Sequence, residues 1–184
     1  MTKTRKLTLT AVFTASSFAL MLISKQLPAP WLQGGSITIA SMVPIILASV
    51  LLGTKWGLAS GFVYALIQMM TGFYLPPVTT FWNFMAVILL DYILPFTCLG
   101  LADVFVKLTK NKSWSVPLSG AIVTTLRYIM HIFSGILVWG AFAETSNVII
   151  YSVSYNGSYM IPEIIITTVA LAFISPIIKK HLSI

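Results

Sequence analysis

Val87-Ile-Leu-Leu-Asp91-Tyr92-Ile-Leu94 sets one carboxylate in the middle of an apolar run that extends from about Thr80 to Lys107. The hydrocarbon core of a bilayer is roughly 30 Å thick and needs about 20 residues of helix to cross. The stretch therefore reads as a membrane-spanning helix, bent near Pro95 and carrying a charge at a depth where charge is costly. The pattern repeats on both sides of it. Helices are predicted at residues 7–27, 37–52, 56–73, 80–107, 116–139 and 158–178, within a single membrane domain over residues 1–184. Pro28-Ala-Pro30, Gly53-Thr54-Lys55, Pro76-Pro77 and Lys110-Asn-Lys112 separate them, and Pro44 interrupts the second. Tyr151 to Gly157 falls in the loop before the sixth.

Composition supports the same reading. Of 184 residues, 58% are hydrophobic and 8% charged, whereas a soluble domain carries about 25% charged residues. Too little polar surface exists to cover a core in water; lipid removes that need. The net charge of +7 would suggest nucleic acid on a soluble protein. Here the basic residues lie between hydrophobic runs and report topology instead. Nine of the eleven fall at the N-terminus (Lys3, Arg5, Lys6), at Lys55, in Lys107–Lys112, and at Lys179 and Lys180. With six spans all of these share one side, which the positive-inside rule assigns to the cytoplasm together with both termini. Lys25, able to snorkel from a helix end, and Glu144 lie opposite. The run from Leu7 is read as a retained first helix, not a signal peptide. Cys98, the only cysteine, forms no internal disulfide and no cysteine metal site. No phosphate-binding loop, H-E-x-x-H or G-x-S-x-G motif is present, so no metal, cofactor or catalytic residue is assigned.

A few polar side chains remain at membrane depth. Arg127 and His131 are four apart and share a helix face; Glu163 follows Pro162. An ion pair of Arg127 with Asp91 or Glu163 would lock helices together. The aromatics toward the outer helix halves, Trp31, Tyr64, Tyr74, Trp82, Tyr92, Trp139, Tyr151, Tyr155 and Tyr159, allow two readings. An interfacial belt accounts for Trp56, Trp114 and Trp82. Rings mixed with Asp91, His131 and Asn156 instead suit a pocket for a flat, cationic, nitrogen-rich ligand, through cation–π attraction and directional hydrogen bonds. On the first helix, Ala11, Ala15 and Ala19 recur every four residues, a smooth stripe on which another helix can approach closely. That helix could belong to the same bundle or to a partner.

Several of these stretches resemble one family: Gly34-Gly-Ser-Ile-Thr38 leading to Met42-Val-Pro44, Leu89-Leu-Asp91-Tyr92, and Arg127-Tyr-Ile-Met-His131-Ile-Phe-Ser-Gly135. Val138-Trp139-Gly-Ala-Phe and Tyr151-Ser-Val-Ser-Tyr155-Asn156-Gly157 complete the set. Together they look like the thiamine-specific S component of energy-coupling factor transporters. The resemblance implies an all-α integral membrane protein, a six-transmembrane-helix S-component bundle in a bacterial cell membrane. Thiamine would be the transported ligand, bound near the extracellular end beneath a lid formed by the first connector. Asp91 would face the aminopyrimidine with Tyr92 beside it. His131, Gly135, Trp139, Tyr151, Asn156, Tyr64 and Arg127 would complete the site, with Trp31 on the lid. The alanine stripe would dock on a transmembrane coupling protein that works with two ATPase subunits. In this family the acidic position can be glutamate and the basic one lysine. Asp91 and Arg127 keep the charge but change the reach.

Other functions stay open at this stage. An S component for a pyrimidine precursor would bind the pyrimidine half as tightly as thiamine. A self-sufficient proton-coupled carrier would use Asp91, His131 and Glu163 as a relay. An intramembrane enzyme would need His131 as a base.

Overall fold

A computed structural model describes residues 1–26, 34–110, 112, 114–143 and 147–182. Among them every regular element is a helix, without strands, and the chain winds back and forth as six helices. These are α1 (Lys3–Ser24), α2 (Val43–Leu52), α3 (Thr54–Thr71), α4 (Phe81–Leu108), α5 (Ser115–Leu137) and α6 (Val148–Leu182). α1, α4, α5 and the Val148–Ile178 part of α6 are each long and apolar enough to cross a membrane.

α2 is different. It has ten residues, about 15 Å of helix, half of a bilayer core. Its expected start at Ile37 is corrected to Val43, with Pro44 in the first turn. Proline lacks an N–H, and the first turn is where none is required; Pro44 opens this helix and does not interrupt it. The preceding residues 34–42 are not helical, and Ala40 has φ 57°. Irregular backbone at membrane depth survives where it is buried in protein or lines a cavity. Residues 34–42 do the latter, as the next section shows.

α4 changes its winding where Asp91 sits. Phe81–Val87 is α-helical, Ile88–Ile93 widens to a π-helical turn, and a tighter 3₁₀ turn follows at Cys98–Leu101. Pro95 provides the cause: within an α-helix its ring would collide with the carbonyl four residues back, that of Asp91, and its missing N–H would leave that carbonyl unpaired. The wider turn relieves both problems.

α6 begins ten residues before the predicted Ser158. Asn147 caps it, with its side-chain oxygen accepting the N–H groups of Ile149 and Ile150 at 3.0 and 3.1 Å. The polar run Tyr151–Gly157 is helix, not loop. Two of its polar side chains turn inward onto α5: Ser152 donates to the Ile132 carbonyl at 2.8 Å and Asn156 to that of His131 at 3.1 Å. Ile149, Ile150 and Val153 face outward.

The core lies between α2, α3, α4 and α5, around Ile45, Ile46, Tyr64, Leu99 and Val123. α1 covers it with a face of Thr10, Thr14, Ser17, Met21 and Ser24, and Thr14 bonds Ser60 of α3 at 2.8 Å.

Candidate functional site

Because α2 stops short and its neighbours spread, a cavity of about 370 Å³ opens in the bundle. Its walls come from the end of α1 (Met21, Ser24, Lys25), the end of α3 (Gln68) and the π-helical turn of α4. The last turns of α5 and the first turns of α6 close it, and Gly34–Thr38 with Ser41 forms a further wall. By the up-and-down order of the helices, this end is opposite the N-terminus. The volume suits a small molecule.

Asp91 is the centre of its polar network. One carboxylate oxygen accepts the Ser134 hydroxyl at 2.7 Å and the Trp139 indole N–H at 2.9 Å. The other faces Nδ1 of His131 at 3.2 Å. Arg127 Nε donates to Nε2 of the same imidazole at 3.2 Å. Since guanidinium can only donate, Nε2 is the acceptor and the proton sits on Nδ1, directed at Asp91. The imidazole is therefore neutral, and the carboxylate's charge is turned by three donors from α5 and the turn after it.

Arg127 does not form the ion pair considered above: among the described residues the acid–base contacts are His131–Asp91 and Lys107–Asp103. Its guanidinium lies 4.4 Å from the centre of the Phe96 ring and directs one N–H at Met42 Sδ, 2.9 Å away. Cation–π contact and the imidazole take the place of a carboxylate.

Aromatic rings make the walls. Tyr151 and Tyr155 stack with centroids 5.7 Å apart, and Tyr159 meets Tyr155 edge-on at 6.3 Å. Tyr159 donates to the Asn156 side-chain oxygen at 2.5 Å. Opposite them, Tyr92 stacks on Phe73 at 5.3 Å and donates to the Gly72 carbonyl at 2.9 Å. Tyr64 is buried beneath and accepts from Gln68 at 2.7 Å. Gly135 is where α5 and α6 close on each other: a Cβ there would lie 2.1 Å from Ser152 Oγ.

Asp91, Tyr92, His131, Gly135, Trp139, Tyr151, Asn156, Tyr64 and Arg127 all line this one cavity. Trp31 lies outside the described residues. Trp82 is 78% exposed and does not line the cavity, in keeping with the interfacial belt. Ala11, Ala15 and Ala19 are exposed on the outer face of α1, so the stripe does not pack inside the bundle. Sequence reading passed over Ser134, Phe96 and Gln68. Ser134 could have been found, since it lies three residues after His131 on the same helix face.

Residues 7–182 match the protein family described as thiamine transporter protein (Thia_YuaJ). The chain belongs to that family. It is 34% identical over 175 residues to the thiamine transporter ThiT of Bacillus subtilis (strain 168), covering 89% of this chain and 86% of the relative. Its fold is similar to the solved structure of ThiT from Listeria monocytogenes, with a TM-score of 0.73 over 97% of both chains at 20% identity. As a member of the thiamine transporter family with several apolar helices, the chain is a multi-pass protein of a bacterial cell membrane. The relatives are named as transporters, not as enzymes.

Proposed function

We propose that this chain captures thiamine at the outer face of the membrane as the substrate-binding S component of an energy-coupling factor importer. The observation that carries the proposal is the Asp91 carboxylate, oriented by Ser134, Trp139 and His131 at the edge of an aromatic-walled cavity. Thiamine has two flat rings, an aminopyrimidine and a permanently cationic thiazolium. The amino and ring nitrogens of the first suit a carboxylate and an amide side chain, Asp91 and Asn156. The charge of the second suits ring faces such as Trp139 and Tyr151. Water excluded by the rings makes each of these contacts stronger.

In this reading the cavity opens outward and both termini lie in the cytoplasm. The chain performs no covalent chemistry. Release inward requires a transmembrane coupling protein, met through the exposed alanine stripe of α1, and ATP hydrolysis by two further subunits. Calorimetric titration of the purified protein with thiamine tests the capture step directly; no heat of binding and no tryptophan quenching at saturating thiamine would overturn it. The hydroxymethylpyrimidine half alone should compete weakly. Competition as strong as thiamine's would move the assignment to a pyrimidine precursor.

A further inference from the structure

Glu163 is a buried acid that the capture site leaves unused. It lies on α6 one turn beyond Tyr159, is 1% exposed, and does not line the cavity. One carboxylate oxygen accepts the backbone N–H of Thr38. The other is buried without a hydrogen-bond partner among the described residues. The hydroxyl of Thr167, one turn further along the same helix face, is buried and unpartnered too, so it does not reach the spare oxygen. A carboxyl group at this depth is costly to leave unpaired, and one of its oxygens is unmet among the described residues.

The half that is used holds the connector, residues 34–42. Other contacts reach the same segment. The Tyr155 hydroxyl donates to the Gly34 carbonyl at 2.8 Å, and Ser24 Oγ accepts the Ile39 N–H at 2.7 Å. Both of those side chains line the cavity, where water can replace a lost partner. The Glu163–Thr38 bond differs: its acceptor is sealed, and breaking it strands an unpaired carboxyl oxygen in a dry interior. Of these bonds that keep the connector down, this one resists release most, because water cannot substitute for the lost partner.

We propose that Glu163 is a positioning residue that clamps the connector over the cavity through the Thr38 amide, and so sets how slowly a bound cation leaves. The part concerning the bound cation rests on the capture reading; the clamp does not. Glu163→Gln keeps an acceptor oxygen for Thr38, whereas Glu163→Ala removes it.

The test uses the full chain in detergent with the thiol introduced by Ser41→Cys as a reporter, since Ser41 is a connector residue only 2% exposed and Cys98 is buried. Glu163→Ala is expected to raise the thiol-labelling rate and the thiamine dissociation rate by about tenfold or more, the equivalent of leaving one buried amide unpaired. Glu163→Gln should stay within about threefold of the parent for both rates. Equal acceleration by both variants would assign the effect to charge and overturn the clamp. Unchanged rates in Glu163→Ala would overturn it as well. If the alanine variant does not fold, hydrogen exchange at the Thr38 amide of the unaltered protein decides. Protection of at least about tenfold over a free peptide is expected, and free-peptide exchange would refute the clamp. Failure of the unaltered protein to bind thiamine would sink the capture reading while leaving the labelling and exchange results to judge the clamp.

Discussion

At the end of the bundle nearest the N-terminus, α2, α3 and α4 meet backbone to backbone. A Cβ on Gly100 would stand 2.2 Å from the Leu58 nitrogen, and one on Gly57 would stand 2.6 Å from Ser49 Cα. Ser49 threads the contact, donating to the Gly100 carbonyl at 2.6 Å and accepting the Asp103 N–H at 3.0 Å. Asp103 in turn caps the start of α3 through Thr54. At the other end the same helices spread apart. α2 has ended, an irregular connector stands in for it, and side chains converge where backbones did. Association in lipid depends on close packing and interhelical hydrogen bonds. The glycine-packed end supplies both, and its rigidity lets the other end hold Asp91, Arg127 and a cavity without collapsing.

The sharpest way to break this contrast is Gly100→Ala. The added methyl meets backbone that cannot move aside, so a loss of about 3 kcal/mol is expected, at the upper end for overpacking. Thermal unfolding in detergent should show a large drop in Tm, while the fraction that still folds keeps its affinity for thiamine. An unchanged Tm would mean that the helices are not in backbone contact.

Asp91→Asn probes the open end. The amide nitrogen would face donors from Ser134, Trp139 or His131, and affinity for thiamine should fall by at least about 1.5 kcal/mol, the lower range for a hydrogen bond to a charged group. Calorimetry reads this directly, and Tm should move less than in Gly100→Ala. Unaltered affinity would remove Asp91 from the site. Ser134→Ala takes away one neutral donor to that carboxylate. It should cost about 1 kcal/mol of binding, again with little change in Tm. A loss as large as that of Asp91→Asn would mean that Ser134 touches the ligand itself.

How much of this was legible in the sequence follows the same division. Asp91, Arg127 and His131 stood out because charge and imidazole are costly in an apolar run, and all three meet in the cavity. Helix edges at the open end did not read correctly. Asn156-Gly157 looks like a turn signal, but Asn156 spends its amide on the His131 and Ser152 carbonyls. Gly157 fits where the Tyr128 hydroxyl would lie 2.8 Å from a Cβ. The real signal was Asn147, an N-cap nine residues earlier. Pro44 reads as a break in the sequence although it opens α2, and the π-helical turn at Asp91 needs the collision at Pro95 to be worked out in three dimensions. Phe96 and Gln68 carry no mark in sequence, since an aromatic or an amide near a helix end is common; their roles appear only when α3, α4 and α5 are placed together.

The smallest expected effect concerns the face that belongs to neither end. Ala11, Ala15 and Ala19 are exposed along α1, while Thr10, Thr14, Ser17 and Met21 take the inward face. A large side chain at Ala15 therefore meets lipid, not the bundle. Ala15→Leu should leave Tm within the roughly 0.5 kcal/mol typical of surface substitutions and should leave thiamine affinity unchanged. Uptake of labelled thiamine by cells containing the coupling subunits should nevertheless fall, because leucine fills the shallow surface on which a second helix would approach. This separates capture from delivery. If binding and uptake fell together, the stripe would have to be part of the bundle's own packing after all; if neither fell, the proposed docking of a coupling protein on this stripe would be refuted.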